Sequence, residues 1–116
     1  MKKVAVIQDM SSFGKCSLTA AIPVLSVMGI QACPLPTAVL TAQTAYPSFY
    51  VKDLTDEMNH FTTEWSKMDE SFDGIQTGFV TGKEQIDNIF RFLDVFQTND
   101  TLLLVDPVMG DDGELY

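Results

Sequence analysis

A chain of 116 residues, 46% of them hydrophobic, has the length of one domain and enough apolar side chains to bury a core. The net charge is −9 and is distributed unevenly, because residues 1–50 carry +2 and residues 51–116 carry −11. Such a chain lacks the basic footprint with which proteins bind phosphate backbones, so we expect no nucleic acid as a partner.

The start of the chain predicts a cytoplasmic protein. Its first apolar run, residues 4–7, is too short for the core of a signal peptide or for a membrane span, so no membrane partner is expected. Cys16 and Cys33 have no metal-ligand spacing, and without a secretion signal both are expected to be reduced. His60 lies off the apolar stripe of its predicted helix, which argues against histidine-based catalysis.

In the first half of the chain a short strand is predicted at residues 4–7, followed by a serine-rich and glycine-rich turn. A helix ending at Gly29 follows, and Pro23 predicts that it is kinked or begins late. Its apolar stripe is Leu18, Ala21, Ile22, Leu25 and Met28. A second strand region within residues 31–40 is expected to be broken by Pro34 and Pro36, and "TAQTAYPSF" is turn-like.

Two amphipathic helices are predicted in the second half of the chain. The first has an apolar face made by Leu54, Met58, Phe61, Trp65 and Met68. The segment "FDGIQTGFV" follows as a strand that ends in glycine. The second helix has an apolar face made by Ile86, Ile89, Phe90, Leu93 and Phe96. Residues 102–105 are expected to form a last, buried strand.

Strands that alternate with helices of this length predict an α/β domain with a parallel sheet covered on both faces. In such sheets ligands bind at the carboxyl ends of the strands. Three polar segments that contain glycine come directly after predicted strands, namely "QDMSSFG", "TGFVTG" and "DPVMGDDG". Their positions predict a site for a small molecule.

The closing segment "DPVMGDDGELY" carries the most specific chemistry. Carboxylates at the end of a strand are suited to Mg²⁺, which prefers oxygen ligands and stays bridged to substrate phosphates. Phosphoryl transfer depends on such positioning and charge neutralisation. The spacing alone leaves open an ordinary acidic turn after a strand.

This segment, together with "MGIQACPLPTAVLTAQTAYPSF" and "FDGIQTGF", resembles the vitamin B6 kinases, the pyridoxal and pyridoxamine kinases of the ribokinase superfamily. The resemblance runs in order through all 116 residues. It implies a ribokinase-like fold with a mostly parallel sheet flanked by helices. It also implies transfer of the γ-phosphoryl group of MgATP to the 5′-hydroxyl of pyridoxal, pyridoxine or pyridoxamine, by a homodimer.

The resemblance also implies roles for individual residues. Substrate contacts are implied for Asp9, which replaces a serine of many members, for Thr44, and for Phe79, where tyrosine is frequent. Ala42 and Gln43 replace the usual Asn-His before Thr44. Metal contacts are implied for Asp106 and Asp111, and nucleotide contacts for Asp111 and Tyr116.

Other parts of the family pattern are absent from these 116 residues. The glycine-rich anion hole, the catalytic aspartate and most of the adenine pocket come later in members of the family, and the sequence has no Walker-type or Gly-x-Gly-x-x-Gly loop. We therefore expect residues 1–116 to be the N-terminal portion of a single ribokinase-like domain, truncated after the strand that ends in "DPVMGD". No catalytic residue is expected in this chain.

Two alternatives stay open at this point. The hydroxymethylpyrimidine kinases of thiamin synthesis share a segment like "AVLTAQT" and a DPVM motif, although "QDMSSFGKCSL" lacks their Ser-Gly-Gly-Ala-Gly turn. Alternatively, the chain is a non-catalytic fragment that associates with itself through an uncovered sheet.

Overall fold

The fold is an α/β arrangement of one main sheet and three helices, seen in a computed structural model that describes residues 1–111 and 113–115, with backbone alone at Asp111. In chain order the elements are β1 (Lys3–Ser11), α1 (Leu18–Val27), β2 (Gln31–Leu40), β3 (Val51–Asp53), α2 (Thr55–Lys67), β4 (Gly74–Thr77), α3 (Lys83–Phe96), β5 (Leu102–Val105), β6 (Gly110–Asp111) and β7 (Glu114–Leu115). Within the described residues, no helix is both long enough and apolar enough to cross a membrane.

The main sheet has the strand order β3-β2-β1-β4-β5. The four strands β2, β1, β4 and β5 are parallel, and only the short strand β3 runs antiparallel at one edge. Strands β6 and β7 form a separate two-stranded ribbon. The mostly parallel sheet flanked by helices confirms the predicted fold class, whereas β3 was not predicted.

The main core lies between the sheet and the helix pair α2 and α3. Several aromatic rings pack against one another in it, with ring centroids 4.6 Å apart between Phe92 and Phe96 and 5.2 Å apart between Phe72 and Phe96. Trp65 lies against Phe72 and Phe92. Helix α1 contacts β1 and β2. Because neighbouring strand residues point to opposite faces, Ala5 and Ile7 serve the main core and Val6 is left for the other face.

Strand β2 is continuous through Pro34 and Pro36, so the expected break is wrong. The amide of Gln31 donates to the Lys2 carbonyl at 2.9 Å. Because the backbone amides of a strand alternate in direction, the odd-numbered residues that follow Gln31 in β2 also point their amides towards β1. Both prolines fall on the opposite side, where β3 pairs only with Ala38, Val39 and Leu40. The missing amide hydrogens therefore cost no ladder hydrogen bond.

Helix α1 begins at Leu18 and continues through Pro23, so the late start, one of the two alternatives predicted for it, is wrong. The turn before it fixes this early start. The amides of Ala20 and Ala21 donate to the Ser17 carbonyl at 3.1 and 2.9 Å. The helix ends as predicted, with Gly29 in the left-handed region at φ 78°.

Several predicted apolar faces are only partly buried. In α3 the stripe is wrong at Ile86 and Phe90, which are exposed, and Phe92 is buried instead together with the polar residues Gln85 and Asn88. In α2, Met58 is buried and Phe61 and Trp65 pack against the core, whereas Met68 is exposed, as is Met28 beyond α1. The last strand is not buried, since Leu102, Leu104 and Val105 are exposed on the outer strand of the sheet.

Helices α1 and α2 end in the same capping geometry but with different residues. The amide of Ile30 donates to the Leu25 carbonyl after α1, and the amide of Glu70 donates to the Trp65 carbonyl after α2. The left-handed position is Gly29 in the first case and Asp69, at φ 56°, in the second. A non-glycine residue there is strained, and its negative charge faces the negative end of the helix dipole.

We therefore expect Asp69→Gly to raise the free energy of unfolding by about 0.5–1 kcal/mol. Asp69→Asn removes only the charge and is expected to give less than half of that gain. Gly29→Ala, at a position with open space around it, is the opposite control and is expected to cost about 1 kcal/mol. Urea unfolding followed by circular dichroism measures all three. Equal stability of the glycine variant and the original chain would contradict the strain at Asp69.

Candidate functional site

An open cavity of about 720 Å³ lies at the carboxyl ends of the parallel strands. All three polar segments that follow predicted strands contribute to its wall. The structure thereby brings together four of the six predicted site residues, namely Asp9, Thr44, Phe79 and Asp106. The other two are not placed, because Tyr116 and the side chain of Asp111 lie outside the described residues.

The cavity has a polar floor and an apolar side. Helix α1 supplies the apolar side through Ala20, Ala21, Val24 and Leu25, and Leu40 and Leu104 extend it. The floor carries Gln8, Asp9 and Ser11, all of which are buried at the end of β1. A concave apolar surface with a few fixed polar groups is the usual form of a small-molecule site.

Asp9 is buried, and its carboxylate is held by two hydroxyl groups. The Ser17 Oγ donates to Oδ1 at 2.6 Å, and the Ser11 Oγ donates to Oδ2 at 3.0 Å. Among the described side chains, ion pairs join only Lys3 to Glu70 and Lys67 to Glu64. Asp9 is thus a carboxylate without a cationic partner, and its remaining lone pairs are suited to an N–H or O–H donor of a ligand.

Ser17 occupies the turn that joins the floor to the apolar side. It precedes α1 with φ 49°, a conformation that costs energy for a residue with a side chain. Val108 has φ 30° and also lines the cavity. Two of the three described non-glycine residues with positive φ therefore lie at this site, and backbone strain of this kind is concentrated at functional sites.

Gln8 was not predicted as a site residue, although it belongs to the polar segment after the first predicted strand, residues 4–7. In the structure it lies within β1. It is buried, and its Oε1 has no hydrogen-bond partner in the described part of the chain. Gly78 makes this position possible, because a Cβ at residue 78 would lie 2.7 Å from the Gln8 Cγ. A buried amide oxygen without a donor is costly unless another group satisfies it.

The loops after β1 and β2 are packed together beside the cavity. The backbone amide of Gln43 donates to the Phe13 carbonyl at 2.9 Å. At Gly14, which has φ 103°, a Cβ would lie 2.7 Å from the Gln43 Cγ. This contact places Thr44 at the rim. The glutamine that replaces the usual histidine before Thr44 therefore packs against the neighbouring loop.

Asp106 stands at the end of β5. Its amide donates to the Thr77 carbonyl at 3.1 Å, and its Oδ1 accepts the Val108 amide at 3.1 Å. No group of three metal-ligating side chains occurs in the part of the chain whose side chains are described. The exposed carboxylate of Asp106 nevertheless suits Mg²⁺, because that ion is usually bound by one or two carboxylates together with substrate phosphates.

The two cysteines and the histidine lie in different surroundings. Cys16 and Cys33 are free thiols, and His60 is exposed. Cys16 lines the cavity, whereas Cys33 packs against the main core. Burial raises the pKa of the Cys33 thiol, which keeps this group protonated and unreactive.

The chain is similar to known pyridoxal kinases over nearly its whole length. No protein-family model matches the chain. A pyridoxal kinase of Dictyostelium discoideum is 27% identical over 126 residues, covering 98% of this chain and 39% of the relative. The crystal structure of a pyridoxal kinase from Lactobacillus plantarum superposes with a TM-score of 0.90 at 32% identity, covering 100% of this chain and 41% of that one.

A more similar crystal structure carries a different name. A Bacteroides thetaiotaomicron protein described as a phosphomethylpyrimidine kinase is 49% identical, with a TM-score of 0.95 over 99% of this chain and 40% of that one. A second crystal form of that protein contains pyridoxal. This chain thus spans about two fifths of the length of the proteins that it matches. Over that length it is similar in sequence to these kinases, and it has the same ribokinase-like fold.

Proposed function

We propose that this chain supplies the substrate side of an enzyme that transfers the γ-phosphoryl group of ATP to the 5′-hydroxyl of pyridoxal, pyridoxamine or pyridoxine. The observation that carries the proposal is the meeting at one cavity of Asp9, Thr44, Phe79 and Asp106, for each of which the resemblance to vitamin B6 kinases implies a ligand contact. The pyridoxal found in the 49% identical Bacteroides protein supports this substrate class.

In this proposal the chain supplies the substrate side of the site. The heteroaromatic ring lies between the apolar residues of α1 and Phe79, and its polar substituents face Asp9, Gln8 and Thr44. Asp106, with Asp111, holds Mg²⁺ beside the phosphates, and Asp111 and Tyr116 contact the nucleotide. Bound Mg²⁺ neutralises charge on the phosphates. We assign no catalytic base to this chain, and residues 1–116 form the N-terminal portion of one domain.

The second candidate function is phosphorylation of hydroxymethylpyrimidine or its phosphate. The name of the Bacteroides protein favours it, since that protein is the more similar of the two crystal structures described above. A pyrimidine ring with an amino substituent also suits a carboxylate that has no cationic partner. Both functions use the same cavity and differ in the ring that Asp9 and Gln8 contact.

Self-association through the uncovered edge of the sheet is the third part of the proposal. Leu102, Leu104 and Val105 are 73%, 58% and 57% exposed on β5, which has no strand on its outer side among the described residues. An apolar edge strand is a ready surface for pairing with a second copy.

We also propose a cytoplasmic location, which the two free thiols support.

A substrate panel distinguishes the functions. Incubation of the chain with MgATP and pyridoxal, pyridoxamine or hydroxymethylpyrimidine, followed by mass spectrometry, is expected to give no ester, because the chain supplies no base. A longer protein that contains this chain is expected to phosphorylate the B6 vitamers in preference to the pyrimidine. Preference for the pyrimidine would favour the second candidate function.

Asp9→Asn tests the substrate contact directly. It keeps the size of the side chain but removes the charge, so pyridoxal binding is expected to weaken by about tenfold or more, as for the loss of a charge-assisted hydrogen bond. Asp87→Asn changes an exposed carboxylate on α3 and is expected to leave binding unchanged. Isothermal titration calorimetry measures both variants. Equal affinities would exclude Asp9 as a substrate contact.

Leu104→Glu tests self-association. A charge on the open strand is expected to shift the chain towards monomer in sedimentation velocity experiments at micromolar concentration. Met68→Glu places the same charge on an apolar residue of similar exposure, 62%, away from that strand, and is expected to leave the distribution unchanged. A monomeric original chain would contradict this part of the proposal.

A further inference from the structure

The loop of residues 78–82, which joins β4 to α3, carries Phe79 to the cavity. It leaves the sheet at Gly78, whose amide donates to the Ile7 carbonyl at 2.9 Å. Beyond that point the loop has no strand partner among the described residues, and side chains from other elements hold it at Phe79 and Thr81. Those side chains lie outside the cavity.

Thr37 of β2 makes the first of these contacts. Its side chain is fully buried, and its Oγ1 donates to the carbonyl of Phe79 at 3.0 Å, across 42 residues of sequence. The bond holds the backbone of Phe79 and so fixes the point from which its aromatic side chain extends. A valine would fill the same volume, so packing alone does not explain a buried hydroxyl at this place.

Gln85 of α3 makes the second contact. It is fully buried, and its Oε1 accepts the Thr81 amide at 2.9 Å. Its Nε2 donates to the Thr37 carbonyl at 2.8 Å and to the Thr55 Oγ1 at 3.1 Å. One amide thereby joins the loop to β2 and to the beginning of α2, and every polar atom of the side chain has a partner.

Asp53 at the end of β3 completes the network on the solvent side. The Thr81 hydroxyl donates to its Oδ2, and the Thr55 amide donates to its Oδ1 at 2.7 Å. Burial alone would raise the pKa of the Asp53 carboxyl, but the hydrogen bonds from Thr55, Thr81 and Gln85 outweigh it and hold the pKa below its usual range. The loop is therefore attached at Phe79 and at two atoms of Thr81.

We propose that Thr37 and Gln85 are positioning residues, which hold the 78–82 loop so that Phe79 forms a fixed wall of the cavity against the ring of the substrate. This inference rests on the proposed function for the identity of the ligand. Neither side chain lines the cavity, so both act through the loop. A wall that is held in place before binding reduces the entropy lost when the ligand binds.

The test compares three threonine variants of the chain. Thr37→Val removes the hydroxyl with little change in volume, and Thr37→Ser restores it. Thr101→Val is the structural control, because the buried Thr101 Oγ1 donates to the Phe72 carbonyl at 3.2 Å and accepts the Thr98 amide at 3.1 Å, before the amino end of β5 and outside the cavity. Thermal unfolding checks that both valine variants fold and lose similar stability.

Two measurements then decide the inference. Nitrogen-15 relaxation of the amides of residues 78–82 reports the order of the loop without any ligand, and calorimetry reports pyridoxal affinity. For Thr37→Val we expect increased loop motion and about tenfold weaker binding, for Thr37→Ser recovery of both, and for Thr101→Val no change in either.

An unchanged loop in Thr37→Val would overturn the inference, as would a mobile loop with unchanged affinity or an equal loss of affinity in Thr101→Val. If the original chain binds no pyridoxal, the proposed function fails instead. In that case the relaxation data still decide whether Thr37 holds the loop.

Discussion

The parallel pairing of β1 with both β2 and β4 is the constraint on which the site depends. Parallel strands end at the same edge of a sheet, so the chain leaves β1, β2, β4 and β5 on one side. Segments that are far apart in sequence, such as those containing Asp9 and Asp106, therefore meet without any direct bond between them. The residues of the main core, between the sheet and helices α2 and α3, stabilise this arrangement, and none of them lines the cavity.

Close contacts between loops then give the cavity its shape. Gly14 and Gly78 each lie where a Cβ would come within 2.7 Å of a glutamine side chain, Gln43 in the first case and Gln8 in the second. A larger residue at either position would push the loops apart. The absence of a side chain is thus as important here as the polar groups, and both glycines lie in the polar segments that were predicted to follow strands.

The sequence predicts the α/β class, the order of the three helices and the four parallel strands, and the edge of the sheet that carries the site, because these follow from apolar periodicity and from where polar segments occur. It does not predict that α3 turns Gln85 and Asn88 inward and Ile86 outward, since the partners that make this favourable, such as Thr37 and Thr55, lie on other elements. The same holds for the prolines of β2, whose tolerance depends on which side of the strand is paired.

Four predicted site residues meet at one cavity, and the contacts that hold them there were not predicted. The hydrogen bond from Ser17 to Asp9 could not be predicted from spacing, because it depends on the positive-φ turn at Ser17. Gln8 was overlooked because a glutamine beside an aspartate carries no distinctive pattern. Its role becomes visible only when its burial and its unpaired oxygen are known.

The most direct test of the account is a crystal structure of the chain soaked with pyridoxal. The account predicts the ring in the cavity, within hydrogen-bond distance of the Asp9 carboxylate and against Phe79. Pyridoxal bound elsewhere on the chain, or an empty cavity with Asp9 still held only by Ser11 and Ser17, would contradict it.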